Sequence, residues 1–194
     1  MAHSGENPTK AALRKELLQT RTSLSTDLAN AAIATRAIEF AKSHSAKTVA
    51  TYLSFGAEPA TKQIIADLLA SGIQVLVPAV AENHTMRWYV FDGTSVAIGA
   101  LNFAEPDETK LREIDLSTAQ LLFMPALAVD LRGARLGRGG GYFDRALSDL
   151  SDEGATATLK VALVYDAEVL DVLPTDDHDK SVDFSITELR LIEF

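Results

Sequence analysis

The sequence predicts an α/β fold, with a single three-layer domain whose mostly parallel or mixed sheet has helices on both faces. Segments with a helical spacing of apolar residues alternate with short apolar runs, some of them β-branched, and this alternation is typical of the class. No linker strong enough to divide the 194 residues is visible. We therefore expect one domain over residues 10–194, preceded by a flexible, polar lead-in over residues 1–9.

The helices are predicted from apolar spacing and from residues that favour helix ends. Ser25 and Thr61 are the expected caps of the second and third helices, because their hydroxyls can accept from a free backbone N–H. Gly72 is expected to end the third helix in the left-handed conformation. The predicted helices cover 10–21, 25–44, 61–71 and 142–150.

The strands are predicted from short apolar runs bounded by turn residues. Pro78 is expected to end the second strand, since proline has no N–H to donate to a sheet. Asp92 and Gly93 are the expected turn after the third. The predicted strands cover 48–54, 73–77, 86–91, 120–124, 159–165 and 182–186.

The composition excludes several classes of protein. A net charge of −9 argues against nucleic-acid and anionic-membrane partners, because long-range repulsion would oppose binding. The absence of cysteine excludes disulfides, thiolate zinc sites and a cysteine nucleophile. No apolar run approaches the ~20 residues of a membrane-spanning helix, and the N-terminus lacks a signal-peptide core. We expect a cytoplasmic monomer without a nucleic-acid or membrane partner.

The most informative segment runs from residue 125 to residue 145. It holds five of the eleven glycines and four of the eighteen basic side chains of an acidic protein. Glycines allow backbone N–H groups to approach an anion closely, and arginines offer forked donors that match phosphate oxygens. Because this segment lies between a predicted strand and a predicted helix, we interpret it as a cradle for a polyphosphate.

Two other interpretations of this segment stay open: a solvent-exposed flexible loop, and an RGG-like contact with RNA. The segment matches neither standard nucleotide fingerprint, because Tyr142 follows Gly141 where a Walker A loop needs lysine, and where a dinucleotide loop needs its third glycine. The residues alone therefore lead only to a phosphate-binding α/β protein.

The same segment resembles the signature of the 5-formyltetrahydrofolate cyclo-ligases, also called methenyltetrahydrofolate synthetases. The strings that carry the resemblance are PALAVD at 125–130 and GARLGRGGGYFDR at 133–145. Three further segments agree with the family: Lys10 with Arg14, 52–54 with Glu58 and Thr61, and the Glu-Pro turn at 102–106. The departures are Ala126 for glycine, Val129 for phenylalanine and Phe143 for a frequent tyrosine, the last of which removes a hydroxyl.

The resemblance implies a sheet of the sugar-phosphate isomerase/CoA-transferase type and an enzyme that needs ATP and Mg²⁺. Such enzymes convert 5-formyltetrahydrofolate irreversibly into 5,10-methenyltetrahydrofolate and release ADP and phosphate. The formyl oxygen attacks the γ-phosphoryl group, and N10 then closes the ring as phosphate leaves. The alternatives are a non-catalytic nucleotide-binding module of the same fold and, less favoured, an RNA-binding accessory protein.

The resemblance also implies the site residues, with Arg138 as the catalytic one. The nucleotide would be bound by Lys10, Arg14, Arg135, Leu136, Gly137, Arg138, Gly139, Gly140, Gly141, Tyr142 and Phe143. The folate would be bound by Leu53, Glu58, Arg138, Gly139, Gly140, Gly141 and Tyr142. Mg²⁺ would be held by Asp144 and Asp179, with Asp176, Asp177 and Asp183 as competitors for the second position.

Elementary chemistry is compatible with these roles. Lys10 and Arg14 are four residues apart, so they share one helix face. Glu58 follows a strand, where α/β sheets bind ligands, and a carboxylate suits the donor-rich edge of a pterin. For Trp88 and Tyr89, a place in the folate pocket and a place in the core are both open.

Overall fold

The computed structural model describes residues 9–81, 84–99, 102–148, 150, 157–176 and 179–194. The helices in these ranges are α1 (Lys10–Leu24), α2 (Asp27–Ser43), α3 (Lys62–Ala70) and α4 (Tyr142–Ser148). The first strands are β1 (Thr48–Ala50), β2 (Gln74–Val80), β3 (Met86–Phe91), β4 (Val96–Ile98), β5 (Ala104–Pro106) and β6 (Glu113–Ile114). The later ones are β7 (Leu121–Pro125), β8 (Ala128–Asp130), β9 (Arg135–Leu136), β10 (Leu159–Leu163), β11 (Val169–Leu170), β12 (Phe184–Ile186) and β13 (Leu191–Glu193).

The main sheet has eight strands in the order β13-β12-β10-β7-β1-β2-β3-β6. The five central strands, β12 to β2 in this order, are parallel, whereas β13 and β3 run antiparallel to their neighbours. Two smaller sheets are described besides it, one of β11, β8 and β9 and one formed by the β4–β5 hairpin. The prediction of a mixed, mostly parallel α/β sheet is therefore confirmed.

Alternate strand residues point to opposite faces of the main sheet, which gives three layers. Val49 and its neighbours on one face are buried under α2 and α3, together with Phe40 and Ile64. Ala50 and the residues of the other face pack with Leu147 of α4. Trp88 is 4% exposed and belongs to this second core, so for this residue the core interpretation is correct.

The ligand-binding edge is set by the order of the central strands. From β1 the chain passes through α3 to β2 on one side, while β7 lies on the other side of β1. The loops that follow β1 and β7 therefore leave in different directions and open a crevice between them, which is where open α/β sheets bind ligands.

Helix α1 lies on the small sheet rather than on the main one. Leu13 and Leu17 are buried against Leu127 and Leu136 in a separate apolar cluster. This packing places the polar first turns of α1, with Lys10 and Arg14, at the crevice. Within the described ranges, no helix is both long and apolar enough to cross a bilayer.

Pro78 does not end the second strand, which continues to Val80. The N–H of Thr51 donates to the carbonyl of Leu76, so this edge of β2 faces β1. Pro78, two residues later, directs its nitrogen to the same edge, beyond the last residue of β1. A proline is tolerated there because no β1 carbonyl requires a donor at that position.

Ser25 is not the cap of α2, and Thr61 occupies the predicted N-cap position of α3 without the expected hydroxyl bond. Thr26 is the residue that caps α2, since its side chain accepts from the N–H of Ala29, whereas Ser25 ends α1. The Thr61 hydroxyl donates to the carbonyl of Tyr52 at 2.6 Å and makes no cap bond to α3. It holds the chain where it leaves the sheet after β1. Gly72 does adopt a left-handed conformation, with φ of +74°.

Other boundaries differ by a few residues. Helix α1 extends to Leu24, and α4 ends at Ser148, with residue 149 outside the described residues. The strand predicted over 159–165 ends at Leu163, and the strand predicted over 182–186 begins at Phe184. The residues left over belong to loops. The β8–β9 hairpin was not predicted; buried Asp130 accepts from the N–H groups of Arg132 and Ala134, and Gly133 turns with φ of +80°.

Candidate functional site

A cavity of about 680 Å³ lies at the carboxyl edge of β1 and β7. Its walls are α1, the loops that follow these two strands, the β4–β5 hairpin and α4. All the site residues implied by the sequence line it: Lys10, Arg14, Leu53, Glu58, Arg135, Leu136, Gly137, Arg138, Gly139, Gly140, Gly141, Tyr142, Phe143, Asp144 and Asp179. Residues from four distant parts of the chain are thus brought to one surface.

The glycine-rich loop between β9 and α4 is held from both sides. Gly139 and Gly141 have φ of +102° and +67°, values that a side chain would strain. From α1, Nε of Arg14 donates to the carbonyl of Gly137 at 2.9 Å. From α4, Nη2 of Arg145 donates to the carbonyl of Gly140 at 2.5 Å. The loop therefore has hydrogen bonds on both flanks that do not depend on a ligand.

Arg138 connects this loop to the loop after β1. Its Nε donates to Oε1 of Glu58 at 2.9 Å, and its guanidinium carbon lies 4.6 Å from the centroid of the Phe55 ring. The second oxygen of Glu58 accepts from the backbone N–H of Phe55 at 3.1 Å. Both carboxylate oxygens are thus engaged, and the arginine sits over an aromatic face, an arrangement that favours a cation.

Glu58 is an unusual carboxyl group because it is 4% exposed. Burial raises its pKa, although the Phe55 N–H and the Arg138 guanidinium both act in the opposite direction. The net effect is a pKa above the ordinary value of a glutamate. A ligand that offers N–H donors would favour the ionised form.

The acidic wall lies near the first turn of α1. Nζ of Lys10 donates to Asp176 at 2.6 Å and also to Asp179, and these carboxylates raise the pKa of Lys10 against the effect of burial. Oδ1 of Asp144 accepts from the buried guanidinium of Arg135 at 2.7 Å. Asp183 lies elsewhere, where it accepts from the N–H of Lys160, and Asp177 is outside the described residues.

The described carboxylates on this wall are suitable ligands for a hard cation, but they do not form a complete coordination shell. Asp144, Asp176 and Asp179 offer carboxylate oxygens on the cavity surface. Among the residues that the structure describes, no group of three or more His, Asp or Glu side chains forms a complete cage for a metal ion. Mg²⁺ is usually held by one or two protein carboxylates together with phosphate oxygens, so such an ion would arrive with its nucleotide.

Beneath the cavity lies a buried ion pair that the sequence analysis missed. Arg21 is 1% exposed and donates to both oxygens of Glu168 at 2.6 Å, and also to the carbonyl of Ala126. It thereby fixes the loop after β7, which forms the cavity floor. The signal was available in the sequence, because Leu13, Leu17 and Arg21 are spaced by four residues on the buried face of α1.

Aromatic and acidic residues of the β4–β5 hairpin also reach the cavity and were not predicted as site residues. The ring of Phe103 stacks on that of Phe55, with centroids 4.8 Å apart and an interplanar angle of 4°. Glu105 follows on β5 and lines the same cavity. The Glu-Pro turn at 102–106 was the only sequence signal for this wall.

Comparison with known proteins places the chain beside folate enzymes. The family model described as the 5-formyltetrahydrofolate cyclo-ligase family matches residues 6–188. The 5-formyltetrahydrofolate cyclo-ligase of Mycolicibacterium smegmatis is 34% identical over 152 residues, which cover 75% of this chain and 76% of that protein. The mouse (Mus musculus) protein of the same name is 30% identical over 193 residues, covering 94% and 95%.

Solved structures agree with this comparison. The NMR structure of 5,10-methenyltetrahydrofolate synthetase from Aquifex aeolicus matches with a TM-score of 0.79 at 28% identity, covering 96% of this chain and 93% of that one. The corresponding structure from Mycoplasma pneumoniae has a TM-score of 0.74 and covers 93% and 99%. Its identity of 22% supports the fold alone.

Proposed function

The chain belongs to the 5-formyltetrahydrofolate cyclo-ligase family, and from this premise we propose how its cavity performs the reaction. The protein is an ATP-dependent ligase that converts 5-formyltetrahydrofolate into 5,10-methenyltetrahydrofolate with release of ADP and phosphate. The observation that carries the assignment of residues is the ion pair between Arg138, on the glycine-rich loop, and Glu58, on the loop after β1. It puts an anion-binding loop and a donor-binding carboxylate in contact.

ATP binds along the glycine-rich loop and the first turns of α1. Residues Arg135–Phe143 form the cradle, in which the loop N–H groups and arginines meet phosphate oxygens. The position of Arg14 supports this binding mode, because its guanidinium lies against the glycine-rich loop at Gly137 and Gly139. Lys10 exchanges its carboxylate partners for phosphate oxygens when the nucleotide enters.

The folate binds on the side of Glu58 and Leu53. The Glu58 carboxylate accepts from the N–H and exocyclic amine donors of the pterin, and Leu53 packs on the ring. Arg138 and the glycines after it border the formyl group, and Tyr142 closes this side. Support for the assignment comes from the burial of Glu58, since a desolvated carboxylate discriminates strongly between ligands with and without matched donors.

Mg²⁺ would be held by Asp144 and Asp179 together with phosphate oxygens of ATP. It would supply positive charge that neutralises the triphosphate. Without the ion, the charge of Asp144 is compensated by Arg135 and that of Asp179 by Lys10. Support comes from the position of both carboxylates on the wall next to the cradle.

The chain accelerates the reaction by placing reactants and stabilising charge. The formyl oxygen attacks the γ-phosphorus and ADP leaves, which gives an N5-iminium phosphate. N10 then attacks the formyl carbon, which bears the phosphorylated oxygen, and loses its proton. Phosphate leaves with that oxygen, so that the C–O bond breaks as the ring closes. Arg138 stabilises the transferring phosphoryl group, because its guanidinium can reach both the loop and the folate side.

The direct test is an assay with 5-formyltetrahydrofolate, ATP and Mg²⁺ that follows the near-ultraviolet absorbance of the methenyl product. We expect product with ATP and none without it. A protein that binds ATP but forms no product would instead be the non-catalytic nucleotide-binding module. Separate titrations of ATP and folate then distinguish the cases, because such a module has no need of a folate pocket at Glu58.

We further propose that the enzyme acts as a cytoplasmic monomer without nucleic-acid or membrane partners. The net charge of −9, which repels polyanions, supports the absence of nucleic-acid and anionic-membrane partners. Light scattering during gel filtration should give the mass of one chain. A mass of two chains would overturn the monomer, and retention on anionic vesicles would overturn the absence of a membrane partner.

A further inference from the structure

The guanidinium of Arg138 is hydrogen-bonded to the protein through only one of its nitrogens. Its Nε donates to Glu58, while Nη1 and Nη2 donate to no protein group among the described residues. The flanking Gly137 and Gly139 have no side chains to restrain it, and the Arg138 side chain is 38% exposed. The two terminal nitrogens are therefore available to a phosphoryl group. A planar group held by one hydrogen bond can still rotate about that bond, however.

The ring of Phe55 supplies the second contact to this guanidinium. The guanidinium carbon lies over the ring, 4.6 Å from its centroid. The attraction between a cation and an aromatic face depends on the cation lying over that face. The backbone N–H of Phe55 also donates to the second oxygen of Glu58 at 3.1 Å, so the ring and the carboxylate belong to one hydrogen-bonded turn. Together the two contacts restrict the directions in which Nη1 and Nη2 point.

Phe103 supports the Phe55 ring from the β4–β5 hairpin. The two rings are stacked almost parallel, with centroids 4.8 Å apart and an interplanar angle of 4°. The hairpin is fixed to the main sheet, because Glu105 of β5 accepts from the backbone N–H of Val80 at the end of β2. Phe55 is 39% exposed, so few other groups hold its ring in place. The hairpin therefore reaches Arg138 through this pair of aromatic rings.

We propose that Phe55 and Phe103 are positioning residues for the reaction: their stacked rings fix the guanidinium of Arg138 so that Nη1 and Nη2 face the phosphoryl group in transfer. The inference rests on the proposed function for the role of Arg138. It gives the β4–β5 hairpin a part in phosphoryl transfer in addition to its place in the cavity wall. Because the rings act through Arg138, their loss should matter only when that side chain is present.

Three substitutions change the rings to different extents. Phe55→Leu keeps an apolar side chain but removes the aromatic face beneath the guanidinium, whereas Phe55→Tyr retains that face. Phe103→Leu removes the stacking partner and leaves Phe55 in place. Phe184→Leu is the matched control, since Phe184 packs on Phe40 with centroids 5.0 Å apart, and neither of these rings lines the cavity.

Initial rates and separate titrations of ATP and 5-formyltetrahydrofolate measure the effect. We expect kcat to fall about tenfold in Phe55→Leu and by a smaller factor in Phe103→Leu, with both Kd values within about twofold of the wild type. Phe55→Tyr should retain most of the activity that Phe55→Leu loses. Phe184→Leu should lower Tm without lowering kcat. In the Arg138→Ala background, Phe55→Leu should cause no further loss, because the group on which the ring acts is gone.

Nuclear magnetic resonance tests the position of the guanidinium without turnover. In protein with isotopically labelled arginine, the Nε–H signal of Arg138 is identified by its absence in Arg138→Ala. The ring current of an aromatic face displaces the signals of nearby protons. We expect this displacement to disappear in Phe55→Leu, to shrink in Phe103→Leu and to remain in Phe55→Tyr and Phe184→Leu.

Several results would overturn the proposal while normal turnover by the wild type leaves the proposed function intact. One is an unchanged kcat in folded Phe55→Leu. Another is a loss in the Arg138→Ala background as large as the loss in the wild type, which would show that the ring acts independently of Arg138. A raised folate Kd with unchanged kcat would make the rings a folate-binding wall instead.

The remaining cases are also decided. If Phe55→Leu does not fold, an unchanged kcat and an unchanged Arg138 signal in Phe103→Leu would refute the proposal, which requires both rings. A wild type without turnover would refute the proposed function. The Arg138 signal would then still decide whether the rings fix the guanidinium, and a signal that is the same in Phe55→Leu and the wild type would overturn this.

Discussion

Arg138 donates a hydrogen bond to Glu58 and lies over Phe55, so one side chain links the glycine-rich loop to the loop after β1. Arg138→Ala should therefore lower kcat more than it lowers stability. Loss of a charged contact to a transferring phosphoryl group typically costs about 3 kcal/mol of barrier, or roughly a hundredfold in rate. Initial rates of the wild type and the variant at saturating ATP and folate measure this loss of kcat. Unchanged kcat in a folded variant would locate the chemistry elsewhere.

The same ion pair makes a prediction about pH. Burial raises the pKa of Glu58 and Arg138 lowers it, while acceptance of pterin donors needs the ionised form. The folate Kd should therefore rise as the pH falls through this pKa. Without the guanidinium the pKa is higher, so in Arg138→Ala the rise should begin at a higher pH. A difference between the two pH profiles reports on Glu58, and identical profiles would contradict the coupling between Glu58 and Arg138.

Asp144 is the residue that tests the metal site. An amide is a poorer ligand than a carboxylate for a hard cation, so Asp144→Asn should raise the Mg²⁺ concentration needed for half-maximal rate. Asp183→Asn is the control, because Asp183 lies outside the cavity wall. If Asp144→Asn melts early while its Mg²⁺ dependence stays normal, the residue serves only to hold Arg135.

At the scale of elements, a buried ion pair joins α1 to the rest of the fold in addition to its apolar packing. Arg21 and Glu168 are both about 1% exposed and join α1 to the segment after β10 and to the cavity floor at Ala126. Arg21→Met leaves a buried carboxylate unpaired, and such a change typically costs about 3–5 kcal/mol. Urea unfolding should show this loss. The double variant Arg21→Met/Glu168→Leu should recover most of it, and a double variant as unstable as the single one would contradict this account.

The elements also show where sequence reasoning succeeds. The four described helices and the strands β1, β2, β3, β7, β10 and β12 followed from apolar spacing, since the core of this fold buries those same residues. The seven other strands that the structure describes, each of two or three residues, were not predicted. The errors occur where contacts with a neighbouring segment determine the outcome. Pro78 stays in β2 because β1 ends early, and the Thr61 hydroxyl bonds to Tyr52 instead of to the first turn of α3. Neither contact can be known before the strands are paired.

For the molecule as a whole, the glycine–arginine string located the cavity because its residues are contiguous. The wall formed by Phe55, Phe103 and Glu105 could not be predicted, because it depends on how the β4–β5 hairpin docks on the loop after β1. The buried state of Glu105 likewise follows from the approach of Gly99 and Val80. Such contacts exist only after the sheet has formed.

The central claim is that one cavity couples phosphoryl transfer from ATP to ring closure of the folate. The measurement that tests it most directly follows ADP and the methenyl product in the same reaction with the wild-type protein and Mg²⁺. The account predicts one ADP for each methenyltetrahydrofolate, and no ADP when folate is omitted. ADP formed without the methenyl product, or product formed without ATP, would contradict it.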